Sequence, residues 1–200
     1  MTEYLRRELQ AGRPGAGERL VVSRVAEKLG VSKVPVREAV TRLIGEGLLV
    51  LRPNVGPVVP DFTAHEVMET ALMRVALEGV ALDSAVPHHT AESLKALEDL
   101  LVTMEPADAD FPALNVRFHL GVIAPSPYEE MVRMARSLLE RAQRYATVHF
   151  VPGYRDAAHA EHLKMFELLE RRDTEQLKAT NEQHVIGAAR RLTAQMTEPA

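Results

Sequence analysis

The stretch Leu20-Val-Val-Ser-Arg-Val-Ala-Glu-Lys-Leu-Gly-Val-Ser-Lys-Val-Pro-Val-Arg-Glu-Ala-Val-Thr-Arg-Leu-Ile-Gly-Glu-Gly-Leu-Leu49 decides the fold of the N-terminal part. It reads as two short amphipathic helices joined by a tight turn. In the second helix Val36, Ala39, Val40 and Leu43 fall at i, i+3, i+4 and i+7, an apolar stripe facing a core. Lys33, Arg37 and Thr41 recur every four residues on another face, so a row of donors points outward. Gly30 breaks the first helix, Ser32 is placed to cap the second, and Pro35 is tolerated in its first turn. This is the pattern of a helix-turn-helix, whose second helix lies in the DNA major groove.

A helical hairpin with a solvated basic face is the plainer alternative. The next residues of the chain shift the balance: Leu48 to Leu51 and Pro57 to Val59 are strand-like, and Arg52-Pro-Asn-Val-Gly56 supplies turn chemistry between them. Helix, turn, helix and hairpin in that order make a winged helix. The run Arg24-Val-Ala-Glu-Lys-Leu-Gly-Val-Ser-Lys-Val-Pro-Val-Arg-Glu-Ala-Val40, with Arg42-Leu43 and Gly45-Glu-Gly-Leu-Leu49, resembles the winged-helix domain of GntR-family bacterial transcription regulators. The resemblance implies that Arg24, Ser32, Lys33, Val34 and Arg37 approach double-stranded DNA while Gly56 of the wing enters the minor groove. Lys33 departs from the usual arginine; a lysine can hold phosphate or guanine but lacks the bidentate fork.

Composition bounds the rest. With 46% hydrophobic and 26% charged residues, the 200-residue chain is ordinary for a soluble globular protein of one or two domains. No apolar run approaches the roughly 18 residues of a membrane span, and the start, MTEYLRRELQ, lacks the apolar core of a secretory signal. The absence of cysteine excludes disulfides and thiolate metal sites and fits a cytoplasmic protein. No tryptophan and 4% aromatic residues argue against a stacking platform for single-stranded nucleic acid. The net charge of -4 hides an asymmetry: residues 1–60 carry 10 Lys/Arg against 6 Asp/Glu, and the remainder 14 against 22. A basic module on an acidic body is expected if only the first part meets phosphates.

Beyond a boundary near Val58-Val-Pro-Asp-Phe62 the periodicity is helical throughout. Six helices are expected: Thr63 to Val86, with Val67, Ala71, Leu72, Val75, Leu77 and Ala81 among its apolar positions; Thr90 (as N-cap) to Met104; Asp110 to Ile123, stopped by Pro125-Ser-Pro127; Tyr128 to His149; Arg155 to Arg171; and Thr174 to Gln195. Short links make an antiparallel bundle. The fold class is therefore mainly α: a winged helix-turn-helix over residues 1–60, then an all-α antiparallel six-helix bundle over residues 61–200.

The histidines of the bundle have a geometric pattern. Asn115 and His119, four apart, share a helix face. His162 lies eleven residues before Asp173 and His184 eleven after it. If the last two helices fold back about Asp173, both imidazoles sit at one height, roughly 16 Å from the turn at about 1.5 Å per residue. Three histidines and an amide could converge in the core, where bundles build metal sites; three unrelated histidines would give the same spacing. His159 shares a face with His162, while His65, His88, His89 and His149 carry no partner pattern and read as solvated. Arg74 and Glu78 have the i, i+4 spacing of an ordinary surface ion pair.

The pieces Arg74-Val-Ala-Leu-Glu78, Asn115-Val-Arg-Phe-His119, Glu161-His162 and Gln183-His184 resemble the all-helical ligand-binding FCD domain of the FadR branch of that family, and six helices resemble its VanR-type subgroup. The resemblance implies a metal held by His119, His162, His184 and a residue at position 115, where this chain has Asn115 in place of an aspartate. Three imidazoles and an amide oxygen suit zinc or nickel with positions open for water or a carboxylate. It further implies that Arg74 faces the pocket and meets a small organic acid effector. A metal-dependent hydrolase is the rival reading, on His159-Ala-Glu-His162, but that spacing is not the i, i+4 pair of helical zinc proteases. A nucleoid-type DNA binder would not need a 140-residue acidic bundle. The expectation is a homodimeric, cytoplasmic transcription regulator, not an enzyme: a repressor on an inverted-repeat operator, whose bundle senses a small carboxylate through a metal and changes the spacing of the two winged helices.

Overall fold

The computed structural model describes residues 1–10, 13–106, 110–148 and 153–196 and is mainly helical. The chain divides into two compact units, residues 1–63 with the end of a later helix from Arg144 onward, and residues 64–143 with the remainder.

In the first unit α1 spans Thr2–Gln10, α2 Val22–Leu29 and α3 Lys33–Gly45, followed by strands β1 (Val50–Arg52) and β2 (Gly56–Val58). Gly30 ends α2 in the left-handed conformation, at φ 64°, as only a residue without Cβ does without strain. Gly47 does the same after α3, at φ 73°, and the amide of Leu48 returns to the carbonyl of Leu43. Leu48 and Leu49 are consequently core residues at the foot of α3 rather than the start of a strand. The hairpin is two residues shorter than expected on that side, with Val50 opposite Val58 and Arg52 opposite Gly56. Arg19 bridges Val58, adding a third chain segment at the hairpin's edge.

The core of this unit contains the expected Val36, Ala39, Val40 and Leu43. It also contains Leu5 and Leu9 of α1, a helix not expected from the sequence. Late in the chain, Tyr145 packs edge-on against Phe62 with ring centroids 4.3 Å apart. Arg144 lies so close over Gly47 that a Cβ there would meet its Cδ at 2.1 Å.

The second unit is built from α4 (Ala64–Ala85), α5 (Ala91–Met104), α6 (Phe111–Ile123), α7 (Glu129–Val148), α8 (Tyr154–Glu170) and α9 (Thr174–Met196), with a 3-10 turn at Val86–His88. Several starts have a local cause. Thr90 and Ser93 form a reciprocal capping box on α5, Asp110 caps α6 ahead of Pro112, and Asp173 accepts from the Gln176 amide at the start of α9. The α8–α9 turn is held by Arg172, at φ 53°, whose guanidinium donates to the His89 and Val86 carbonyls.

Along its length α4 packs on α9, and α8 packs on both α9 and α5. The core runs through Leu82, Leu97, Phe118, Leu139, Met165 and Leu169. On α4 the buried face is not wholly apolar: Thr70, Arg74 and Glu78 lie inside it at i, i+4 and i+8, while Leu72, expected inside, is 58% exposed. No helix of the described residues is long and apolar enough to cross a membrane.

Candidate functional site: a DNA face and a buried histidine centre

On the first unit, Arg24 of α2 and Ser32, Lys33, Val34, Arg37 and Thr41 of α3 are all exposed. The recognition ridge and the buried stripe therefore lie on opposite sides of α3, as its periodicity requires. Ser32 stands at the N-cap of α3 but makes no side-chain cap bond, contrary to expectation; its hydroxyl stays on the outer surface. The Thr41 hydroxyl donates to the Arg37 carbonyl at 3.0 Å, leaving its lone pairs outward. Val34 is 62% exposed, uncommon for an aliphatic side chain at the head of a helix. Gly56 sits at the wing with φ 102°, a conformation side-chain-bearing residues avoid. Arg19 lies alongside, its Nε 3.5 Å from where a Gly56 Cβ would be. Arg19 has no motif to mark it; only the pairing of its segment with β2 brings it to the wing.

In the second unit α6, α8 and α9 bring His119, His162 and His184 together, all buried. Their candidate ligand nitrogens lie within 4.8 Å of one another. Nε2 of His119 is 3.1 Å from Nε2 of His184 and 3.3 Å from Nε2 of His162. Four nitrogens around a zinc ion at its usual bond length are roughly 3.4 Å apart. A single Nε2 offers one in-plane position and cannot serve two neighbouring Nε2 atoms by hydrogen bonding. Three ring nitrogens converging on one point can together ligate a cation.

The outer nitrogens differ: that of His162 is buried without a hydrogen-bond partner, and the other two lie towards carboxylates. Nδ1 of His184 is 2.6 Å from Glu161 Oε2, so the carboxylate accepts the Nδ1 proton. Nδ1 of His119 is 4.0 Å from Glu78 Oε2, beyond hydrogen-bond reach. Burial, reinforced by the charges of His184 and Arg74, holds His119 and His162 well below the ordinary histidine range, so both rings are neutral near pH 7. The bond to His184 holds the Glu161 carboxyl below its usual range despite partial burial.

Asn115, one turn before His119 on α6, is also buried. Its Nδ2 donates to Gln143 Oε1 at 2.9 Å, while its Oδ1 is buried with no hydrogen-bond partner. An orphaned buried carbonyl costs about 1–3 kcal/mol, and a ligated ion would relieve it. The donor set thus fits a divalent transition metal.

Arg74 is 7% exposed and donates through Nε to Glu78 Oε1 at 2.7 Å; Asn181 donates to the other Glu78 oxygen at 3.1 Å. The i, i+4 pair is a buried one, not a surface pair. Glu78, Leu82, His119, Met165 and Asn181 line a cleft too tightly packed to admit a water molecule.

His159 does not join the cluster, although its Nδ1 is buried without a hydrogen-bond partner. His65 is exposed, and His88 is exposed but has Nδ1 2.8 Å from the Ser84 carbonyl. His89, expected in solvent, is 4% exposed: Nε2 is 2.9 Å from the Val122 carbonyl and Nδ1 3.0 Å from Ser93 Oγ. Burial depresses its pKa. His149 lies outside the described residues.

A winged helix carrying exposed cations, joined to a helical unit with a buried polar centre, is the build of a ligand-responsive DNA-binding regulator. Residues 1–59 match the family described as bacterial regulatory proteins, gntR family, and residues 69–187 match the FCD domain. The chain belongs to the GntR family of transcription regulators, with an FCD domain. It is 28% identical to the Nta operon transcriptional regulator of Aminobacter aminovorans, over 82% of this chain and 79% of that one. It is 26% identical to the transcriptional repressor RspR of Escherichia coli, over 90% and 82%. Among solved structures, E. coli McbR/YncC superposes with a TM-score of 0.66 at 24% identity, covering 98% of this chain and 96% of that one, a likeness of fold.

Proposed function

We propose that the protein is a homodimeric, cytoplasmic repressor that binds an inverted-repeat operator and responds to a small carboxylate at a metal centre in its helical unit. The observation that carries this reading is the convergence of three imidazole nitrogens in the interior of a domain attached to a winged helix. His119, His162 and His184 would hold zinc or nickel through Nε2, with Asn115 Oδ1 as a neutral fourth donor. When bound, the metal supplies an open coordination position for a carboxylate oxygen. The chain's own residues prepare that position. Glu161 fixes the orientation of the His184 ring, neighbouring helices exclude water, and Arg74 turns to the acid when it yields Glu78. The cleft is small, so effector entry requires side chains to move, and such movement can reach the winged helices. Domain roles divide accordingly: residues 1–60 bind DNA, and residues 61–200 bind effector and dimerise. Six helices in the second unit support the VanR-like subgroup of the FadR branch.

On DNA, Arg24 and Lys33 hold phosphate, Arg37 and Thr41 face base edges, and Ser32 donates at the head of the helix. Val34 meets a thymine methyl, and Gly56 admits the wing to the minor groove. One winged helix covers too little DNA for high specificity, so two copies are needed. Leu72, Met73 and Val80 leave an apolar strip on the outside of α4 that a second copy would cover.

Metal analysis of the purified protein tests the core of this reading: about one zinc or nickel per chain is expected, with a lower melting temperature after chelation. Protein without transition metal, and indifferent to added zinc, would leave the histidines as polar lining for an organic acid. Sedimentation should give about twice the 22.2 kDa chain mass.

A further inference from the structure

Seven residues beyond His184, on the same face of α9, stands Arg191. Its side chain folds back along the helix: Nη1 lies 3.5 Å, and the guanidinium carbon 3.9 Å, from where a Cβ would project on Gly187. Glycine in a helix interior is locally unfavourable. A Cβ at position 187 would make ordinary contact with the guanidinium, and a longer side chain would crowd it.

Nε and Nη2 of Arg191 are buried and have no hydrogen-bond partner. They form one edge of the guanidinium, the fork that receives a carboxylate through two parallel bonds. The nearest acid, Glu161 Oε2, is 3.7 Å from Nη2 and is already bonded to His184 Nδ1 at 2.6 Å. Arg74 differs: its Nε is bonded to Glu78 at 2.7 Å. One arginine is hydrogen-bonded to an internal carboxylate; the other makes an ion pair with Glu161 but no hydrogen bond through that edge.

We propose that Arg191 is a second anion-binding point of this site, holding through its Nε–Nη2 edge one carboxylate of an effector whose other acid group reaches the histidine centre. The effector is then a short dicarboxylate. This inference rests on the proposed reading of the histidine centre as a carboxylate site.

The test uses zinc-loaded, full-length protein and four probes matched in chain length: succinate with butyrate, and glutarate with pentanoate. Calorimetry should show at least one dicarboxylate binding tenfold or more tighter than its monocarboxylate partner. In Arg191→Gln that advantage should vanish, while monocarboxylate affinity stays within about twofold. Gly187→Leu crowds the guanidinium without changing charge and should erase the same advantage. Zinc content and melting temperature identify variants that have not folded; if Arg191→Gln is lost in this way, Gly187→Leu carries the test. Equal binding of mono- and dicarboxylates by the unmutated protein, or a preference that survives both substitutions, overturns the inference and leaves the carboxylate reading standing. If none of the four acids binds, the carboxylate reading itself falls, and this inference with it.

Discussion

The two units of the chain keep their chemistry in opposite places. In the first, every buried residue among those described is apolar, and the candidate DNA contacts lie outside. In the second, ten polar residues are buried, among them Arg74, Glu78, Asn115 and the three clustered histidines. A surface that meets phosphates needs only a rigid scaffold beneath it, because water solvates its charges until DNA arrives. An interior that discriminates a small molecule must keep polar groups dry and pointed, and it bears the desolvation penalty in the empty state. Substitutions in the first unit should therefore separate binding from stability, whereas substitutions in the second should couple them.

The largest expected effect is at His162, which has no exposed surface. His162→Ala removes a ligand and opens a cavity, so metal affinity should fall at least a hundredfold and the metal-free bundle should lose about 2–4 kcal/mol. Operator affinity without effector should change less than threefold. A large loss of operator affinity at intact metal content would erase the contrast between the units.

Next in size is Arg37→Ala, expected to weaken operator binding by about 1–3 kcal/mol while the melting temperature stays constant. Equal losses on operator and random DNA would reduce Arg37 to a phosphate contact. A drop in melting temperature would deny that the DNA face is energetically separate from its core.

Asn115→Asp should tighten zinc about tenfold, since it adds a charge to an otherwise neutral donor set. Competition against a chelating dye measures this. No change, or weaker binding, would show that position 115 stands outside the coordination sphere.

The smallest effect is in pH. His89, His119 and His162 are held neutral by burial, below the ordinary histidine range. As pH falls below about 6.5 the unfolded chain takes up protons that the folded bundle refuses, so stability declines with acidity and is full only above that value. Residues 1–60 contain no histidine. Amide exchange in metal-free protein should therefore quicken in α6, α8 and α9 between pH 7.5 and 5.5, with α2 and α3 unaffected. Uniform behaviour in both units would contradict it.

What could be read from the amino-acid order obeys the same division. The recognition helix shows in the sequence because its inside and outside alternate with the helical period. The six bundle helices show because Thr90, Asp110, Pro125 and Asp173 punctuate them, and His162 and His184 betray each other by equal distance from Asp173. Other features have no local signature. Arg74 and Glu78 have the spacing of any surface pair, and only the approach of Asn181 from α9 makes them an interior one. Similarly, α1 acquires its meaning from a core assembled elsewhere, and His89 from a carbonyl 33 residues away. Arg191 has no motif to mark it; only the fold brings it to Glu161, across from α8.

The turn at Arg172-Asp173 has a consequence for how the chain can change. It acts as the zero of a ruler, with His162 and His184 read off at equal marks along two rods. Adding one residue to either rod, between its histidine and the turn, rotates that imidazole by about 100° and shifts it by about 1.5 Å. Length variation in this hairpin is therefore confined to the far side of each histidine. Arg172, which clamps the turn to the carbonyls of Val86 and His89, is what stops the zero from drifting.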